Sequence, residues 1–304
     1  MDSRVRILIT GGTGLIGSNL IHDWLATGHR VTVLSRSASS VHGQFSSRVA
    51  AIERWSHLRG AGPFDAVVNL AGAPIAAHRW TEARKVVLRR SRIEWTQRLV
   101  QSFEHFEQPP AVLVQASASG YYGDQGDLEI TEATAPIEDF AHHLCADWER
   151  AGMAAEALGV RVVRLRLGAV LSEAGGLLKP LLPLCRMGGG AVLGDGRQWL
   201  AWLHREDVVR IVNWALLNTK ASGAFNACAP TPIPQQVFVD ALAEVLHRPR
   251  LLRIPAAPLR LLLGERANLV LASQRMVPTA LTSAQFQFRH PELSAALRDL
   301  LHRP

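Results

Sequence analysis

The chain has 304 residues, 48% hydrophobic and 19% charged, with a formal net charge of +7 and a mean hydropathy of +0.07. That apolar content offsets the entropy of ordering, so disorder of the whole chain is excluded, and the length allows one large domain or a domain with an appended lobe. No apolar run approaches the roughly 18 to 20 residues that span a bilayer. The three cysteines, Cys145, Cys185 and Cys228, lie far apart without CxxC spacing, which argues against a disulfide framework and against a zinc site. A cytosolic protein with no membrane segment and no metal is expected.

The predicted elements alternate along the first two-thirds of the chain. Residues 5–9 read as a strand, followed by a glycine-rich turn and a helix to about Leu25. Residues 30–35, 49–55 and 64–70 are the next strands. A long helix follows Thr81, with Val86, Ile93, Leu99, Val100 and Phe103 on one face, and Pro109-Pro110 stops it. Residues 111–116 form the fifth strand, 139–158 a helix and 160–167 the sixth strand. Prolines and glycines then break the pattern, before a helix over 206–217 and a strand over 224–227. Strands alternating with helices mean βαβ units and a parallel sheet, which binds ligands beyond the carboxyl ends of its strands. The expected fold is α/β: a Rossmann-like doubly wound parallel sheet over residues 1–170, with 205–230 returning to it. A smaller, mostly helical C-terminal substrate lobe is expected from 171–204 and 231–304.

The sharpest motif is the run from Thr10 to Gly17, with glycines at 11, 14 and 17 directly after a strand and opening a helix. Gly11 allows the tight turn, Gly14 lets the backbone approach a pyrophosphate, and Gly17 lets helix and strand pack closely. Thr13, Leu15 and Ile16 complete this phosphate-facing turn, where free helix N–H groups and the positive end of the dipole favour an anion. The second strand ends at Ser35-Arg36, without the carboxylate that would bind a ribose 2′-hydroxyl. A guanidinium there pairs with a 2′-phosphate, so NADP is favoured over NAD. Leu70, Ala71 and Gly72, after the fourth strand, leave room for an adenine or ribose.

The basic excess is 33 residues against 26 acidic ones. Its densest cluster runs from Arg79 through Arg84, Lys85, Arg89, Arg90 and Arg92 to Arg98. The cluster reads as a solvated helix face from which one or two arginines are available for phosphate, and no RNA- or DNA-binding motif accompanies it, so no nucleic-acid partner is expected.

Together these residues resemble an extended short-chain dehydrogenase/reductase of the NAD-dependent epimerase/dehydratase superfamily. The segment Ser117-Ala118-Ser119-Gly120-Tyr121-Tyr122-Gly123 is similar to that group's serine segment, and His204-Arg205-Glu206-Asp207-Val208 to its late helix start. Asn69-Leu70-Ala71-Gly72, Arg79-Trp80, Ser91-Arg92 and Gly194-Asp195-Gly196-Arg197-Gln198 narrow the likeness to an uncharacterised epimerase-like branch. That branch ends in a C-terminal segment of unassigned function, here beginning at His247-Arg248-Pro249. The resemblance implies the fold and a dinucleotide cofactor. It also implies a Tyr-x-x-x-Lys pair, which this chain lacks: its two tyrosines are Tyr121 and Tyr122, and no lysine lies between Lys85 and Lys179. With the helix aligned on Glu149, the two positions fall at Ala141 and Cys145. Where sugar-nucleotide members carry a diphosphate-gripping arginine, this chain has Leu200.

The catalytic candidates are therefore Ser117, Tyr121 and Tyr122, which the resemblance places beside the nicotinamide. His142 and His143 are expected to be solvated at a helix start, His204 and Asp207 to set another, and Cys145 to be buried and inert. Arg92 is expected in the cofactor or substrate pocket, with Arg84 and Arg98 left on the solvated face. The expected function is an NADP-dependent oxidoreductase or epimerase-like enzyme acting on a small molecule. The alternative is an NADP-binding redox sensor or regulatory protein without turnover.

Overall fold

Short runs, most of them rich in Val, Ile and Leu, form seven parallel strands, described in a computed structural model that covers residues 4–249 and 252–302. They are β1 (Arg6–Thr10), β2 (Arg30–Leu34), β3 (Ala50–Ile52), β4 (Ala66–Asn69), β5 (Val112–Ala118), β6 (Arg161–Leu167) and β7 (Gly223–Ala227). The sheet order is β7-β6-β5-β4-β1-β2-β3. Thr10, the last residue of β1, sits opposite Leu34 on one side and Asn69 on the other. The chain reverses its winding between β1 and β4, which opens a crevice at the carboxyl ends of these strands.

Both faces of the sheet are covered, so its strands are apolar on both sides. Alternate side chains serve the two faces. Ile7, Ile9, Val33 and Val68 pack against Leu20, Ile21 and Trp24 of α1 (Leu15–Ala26) and Ile211 of a later helix. Leu8, Leu34, Val67 and Leu113 pack against Leu99, Val100 and Phe103 on the other face. Ser37 caps the short helix α2 (Ala38–Phe45) by accepting from the Ser40 amide.

The helix after Thr81 departs from expectation at one point. It comprises α3 (Glu82–Arg89), a π-helical turn (Arg90–Glu94) and α4 (Trp95–Phe103). Ile93 and the residues after it face the core as expected, but Val86 is 46% exposed and Leu88 is buried instead. The π turn bonds i to i+5, so Leu88 and Ile93, five apart, share one face. A uniform 3.6-residue period assigns the wrong residue upstream of the insertion.

Helix α5 (Phe140–Met153) is capped by Asp139, whose carboxylate accepts from the His142 amide. Helices α6 (Leu178–Arg186), α7 (Arg205–Leu217), α8 (Gln235–Val245), α9 (Ala256–Leu263), α10 (Asn268–Leu271), α11 (Thr279–Ser283) and α12 (Leu293–Leu301) follow. A second core gathers Leu178 and Leu182 of α6, Trp202, Phe238 and Leu242 of α8, and Leu293 and Leu297 of α12. Short ribbons stitch the chain between cores: Ala169–Leu171 pairs with Trp202–His204, and Glu129–Ile130 with Arg275–Met276. Leu281 of α11, with Phe286 and Phe288, returns to the first core. Among the described residues no helix is long and apolar enough to cross a membrane.

Candidate cofactor and active site

The turn after β1 is built around positions that side chains would block. Gly11 has φ +69°, and a Cβ there would lie 2.7 Å from the Leu70 carbonyl carbon. A Cβ on Gly17 would lie 2.4 Å from the Gly11 oxygen, so helix α1 touches the turn backbone there. Gly14 is different: a Cβ would meet only the Gly11 oxygen, at 3.2 Å, and would otherwise project into open space. Gly14 is also the N-cap of α1, and no side chain caps that helix. The amides of Leu15, Ile16 and Gly17 thus face the crevice as donors with the positive end of the helix dipole behind them. This cradle fits a pyrophosphate, and Thr13 and Gly14 are exposed at its mouth.

At the end of β2, the Ser35 hydroxyl accepts from the Ser37 amide. Arg36 is exposed. The Glu53 carboxylate accepts from the Ala38 amide at the start of α2, so the helix start is occupied and the Arg36 guanidinium is the group available to a phosphate.

Below Leu70, Ala71 and Gly72 runs a buried polar chain. The Thr10 hydroxyl donates to Asn69 Oδ1 and accepts from the Ala71 amide. Asn69 Nδ2 donates to Thr96 Oγ1 at 2.7 Å and to Gln115 Oε1 at 2.8 Å. These bonds lock β1, β4, β5 and α4 together beneath the crevice. Arg92 reaches it from the π turn: its guanidinium donates to the Ala73 carbonyl at 3.0 Å, lies 5.1 Å from the Trp148 ring centroid and packs on Gly72, where a Cβ would meet Cζ at 2.9 Å.

The three hydroxyls singled out from the sequence lie within one network, but not in equivalent states. Ser117 Oγ donates to Glu149 Oε1 at 2.7 Å. That carboxylate is also held by Arg166, through Nε at 2.9 Å and Nη2 at 3.0 Å, and by Arg164 at 3.2 Å. Arg166 Nη1 donates to the Tyr122 hydroxyl at 2.8 Å, and Tyr122 donates its own proton to Asn226 Oδ1 at 2.7 Å. Tyr122 is fully buried, and burial pushes its phenol up to about 12. Tyr121 is only partly buried. The Arg166 guanidinium lies 3.4 Å from its ring centroid, a cation–π contact. Its hydroxyl makes no hydrogen bond among the described residues.

His142 corrects the sequence reading. It is 8% exposed, not solvated, and its Nδ1 lies 2.6 Å from the Tyr121 carbonyl oxygen. A carbonyl only accepts, so Nδ1 carries the proton and Nε2 keeps its lone pair. Its ring meets that of Tyr121 edge-on at 5.1 Å, while His143 is exposed. Ala141 and Cys145 pack against Gly120, where a Cβ would lie 3.3 Å from Ala141 Cβ and 3.8 Å from Cys145 Sγ. Burial pushes the Cys145 thiol up to about 12, which leaves it protonated and inert.

His204, His290 and Asp299 bring ligand atoms within 4.8 Å of one another. His204 Nδ1 accepts from the Glu206 amide at 3.1 Å, however. Its proton therefore sits on Nε2, facing Asp299 at 3.3 Å, and no lone pair remains there for a metal. The cluster caps α7, and the Asp207 carboxylate accepts from the Arg289 and His290 amides.

Sequence reasoning missed Glu149, Arg164 and Arg166. The signal was present in β6, which reads Arg161-Val-Val-Arg164-Leu-Arg166-Leu167. Charged residues inside an interior strand of a parallel sheet need buried partners.

The sheet order, the open crevice at the switch point and the glycine cradle define a Rossmann-like nucleotide-binding protein. A model of the NAD dependent epimerase/dehydratase family matches residues 7–228, and one for a domain of unknown function, DUF1731, matches residues 254–300. The chain belongs to the NAD dependent epimerase/dehydratase family. An epimerase family protein of Staphylococcus saprophyticus is 39% identical over 299 residues, covering 97% of this chain and 99% of the relative. One of Staphylococcus aureus is 37% identical over 300 residues, with the same coverage. The structure is similar to that of human epimerase family protein SDR39U1 (isoform 2) with NADPH, at TM-score 0.88 and 30% identity, covering 98% of this chain and 100% of that one.

Proposed function

We propose that the protein is an NADP-dependent oxidoreductase or epimerase-like enzyme acting on a small-molecule substrate without a Tyr-x-x-x-Lys pair. Arg36, exposed at the end of β2 where a carboxylate would select NAD, supports NADP. So does the NADPH in the human relative. The amides of Leu15 and Ile16 hold the pyrophosphate with Gly14 and Gly17, Ser35 and Arg36 hold the 2′-phosphate, and Leu70, Ala71 and Gly72 flank the adenosine. Bound NADPH supplies a hydride at its nicotinamide.

The observation that carries the proposal is the state of the three hydroxyls. Ser117 and Tyr122 have committed their protons to Glu149 and Asn226. Tyr121 has not, and a guanidinium against its ring stabilises the negative charge left when its proton departs. Tyr121 is thus the proton donor to the substrate oxygen, and His142 Nε2, on α5 with its ring edge-on to that of Tyr121, is a second proton-transfer group. Ser117 and Tyr122 are positioning residues, holding Glu149 and Arg166 beneath Tyr121.

The test is NADPH oxidation against a panel of small aldehydes and ketones, followed by single-turnover hydride transfer. Tyr121→Phe should lose 10²-fold or more, as expected for a positioned acid. Wild-type rates in that variant would refute the assignment. The second reading, an NADP-binding protein without turnover, is favoured by Ala141 and Cys145 at the two positions of the missing pair. Tight NADPH binding with no turnover across the panel selects it.

A further inference from the structure

The loop leaving β4 is gripped by arginines from three separate elements. Arg92, on the π turn, donates to the Ala73 carbonyl. Arg84, on α3, donates to the Pro74 carbonyl. Arg266, on the 3-10 turn after α9, donates to the Ala76 carbonyl at 2.9 Å. Arg79 stands exposed on the same loop. Arg84 therefore does not belong to a solvated face as the sequence implied: its Nε is buried and has no hydrogen-bond partner. Arg98 lies elsewhere, 4.8 Å from the Trp55 ring centroid.

These guanidiniums have no carboxylate within 4.0 Å among the described residues. Lys85, one position from Arg84, contrasts with them: it pairs with Glu82 at 3.1 Å and Glu265 at 2.8 Å. The neighbouring lysine is neutralised and the arginines are not. Burial and the charge of Arg84 both lower the Arg92 pKa, which marks the pair as mutually repulsive. Each guanidinium has five donors in a planar fork, and the loop carbonyls use only part of that set. Planar, unpaired guanidiniums beside a crevice match an oxyanion that bridges two of them. The cluster adjoins the reaction site: Arg92 lies over the Trp148 ring of α5, the helix whose Ala141 and Cys145 pack against Gly120 beside Tyr121.

We propose that Arg92 and Arg84, with Arg266 and Arg79 at the rim, bind an anionic group of the substrate, a carboxylate or a phosphate ester. This deepens the proposed function and rests on it for the presence of a substrate in the crevice. The same anion chemistry also occurs in the cofactor's own phosphates, and the experiment separates the two sources.

The protein saturated with NADPH is titrated with inorganic phosphate and with malonate by calorimetry at low ionic strength. The wild-type complex should take up one anion per chain. The Arg84→Gln, Arg92→Gln double variant should bind that anion at least tenfold more weakly, while its NADPH affinity changes less than threefold. A tenfold or greater loss of NADPH affinity would assign the arginines to the cofactor phosphates and overturn the proposal. So would an unchanged anion affinity, or a wild-type complex that binds neither probe. If the double variant does not fold, Arg84→Gln alone, on a partly exposed side chain, should weaken the anion about three- to tenfold. No shift there overturns the proposal equally. Anion binding is read without turnover, so failure of the Tyr121 assignment leaves this result standing.

Discussion

Gly14 and Gly17 sit three residues apart in one turn and answer to different demands. Valine at 14 points into open space, meeting only the Gly11 oxygen at 3.2 Å. Gly14→Val should therefore fold, with a melting temperature close to wild type, and lose NADPH and NADH binding together, because the side chain fills the pyrophosphate's place. Normal NADPH binding by the folded variant would reduce the motif to a tight turn. Alanine at 17 would meet the Gly11 oxygen at 2.4 Å, so Gly17→Ala should destabilise the fold itself. The exposed Arg36 makes a charge-assisted contact in the proposed complex, worth about 1.5 to 3 kcal/mol. Arg36→Ala should weaken NADPH roughly 10- to 100-fold and leave NADH nearly unchanged. Equal losses for both cofactors, by calorimetric titration, would remove Arg36 from the 2′-phosphate site.

At the scale of elements, β5, β6 and α5 meet through one buried carboxylate. Glu149 is 2% exposed and receives Arg166, Arg164 and Ser117. Removing one partner of a buried pair leaves an uncompensated charge, typically at a cost of about 3 to 5 kcal/mol. Glu149→Gln should lower the free energy of unfolding by that amount in urea titrations, since Arg166 would then face a neutral amide. A loss under about 1 kcal/mol would show that solvent screens the network. This network also marks where sequence reading stops. The glycine turn, with β1 before it and α1 after it, was legible because the whole device lies within residues 6–26 and is bounded by turn residues. The Glu149 network was not, because its members come from separate elements and only the three arginines in β6 announced it. Ribbons such as Glu129–Ile130 with Arg275–Met276 were invisible because two residues carry no period. The π turn hid for the opposite reason: its residues look like any amphipathic helix, and one extra residue per turn changes only the phase.

Across the whole molecule, the start of α7 ties the sheet to the C-terminal segment. His204 is fully buried and caps the helix with Nδ1, while Asp207 holds the backbone at Arg289 and His290. Burial lowers the His204 pKa from 6.5 to about 4. Between those values the unfolded chain binds the proton and the folded one does not, so stability is complete above pH 6.5 and falls as the pH drops towards 4. The loss from this group reaches on the order of 3 kcal/mol at pH 4. His204→Asn keeps a capping oxygen for the Glu206 amide and removes the titration. Its urea-unfolding free energy should fall less than that of wild type between pH 7 and pH 4.5. Parallel pH profiles for the two proteins would refute the role of His204.

The return of the C-terminal segment has a consequence for how the chain is made. Leu281, Phe286 and Phe288 complete the first core, and Leu293 and Leu297 complete the second. Neither core can close when β7 leaves the ribosome, although the sheet then has all its strands. At about 5 to 20 residues per second, synthesis from Cys228 to Leu301 takes roughly 4 to 15 seconds. Throughout that interval the nascent chain carries two unsealed apolar surfaces, including the one that Trp214 and Phe225 present and that α11 and Phe286 later cover. Vectorial folding offers this protein no early refuge, and its exposure to aggregation during translation is set by the last quarter of its own sequence.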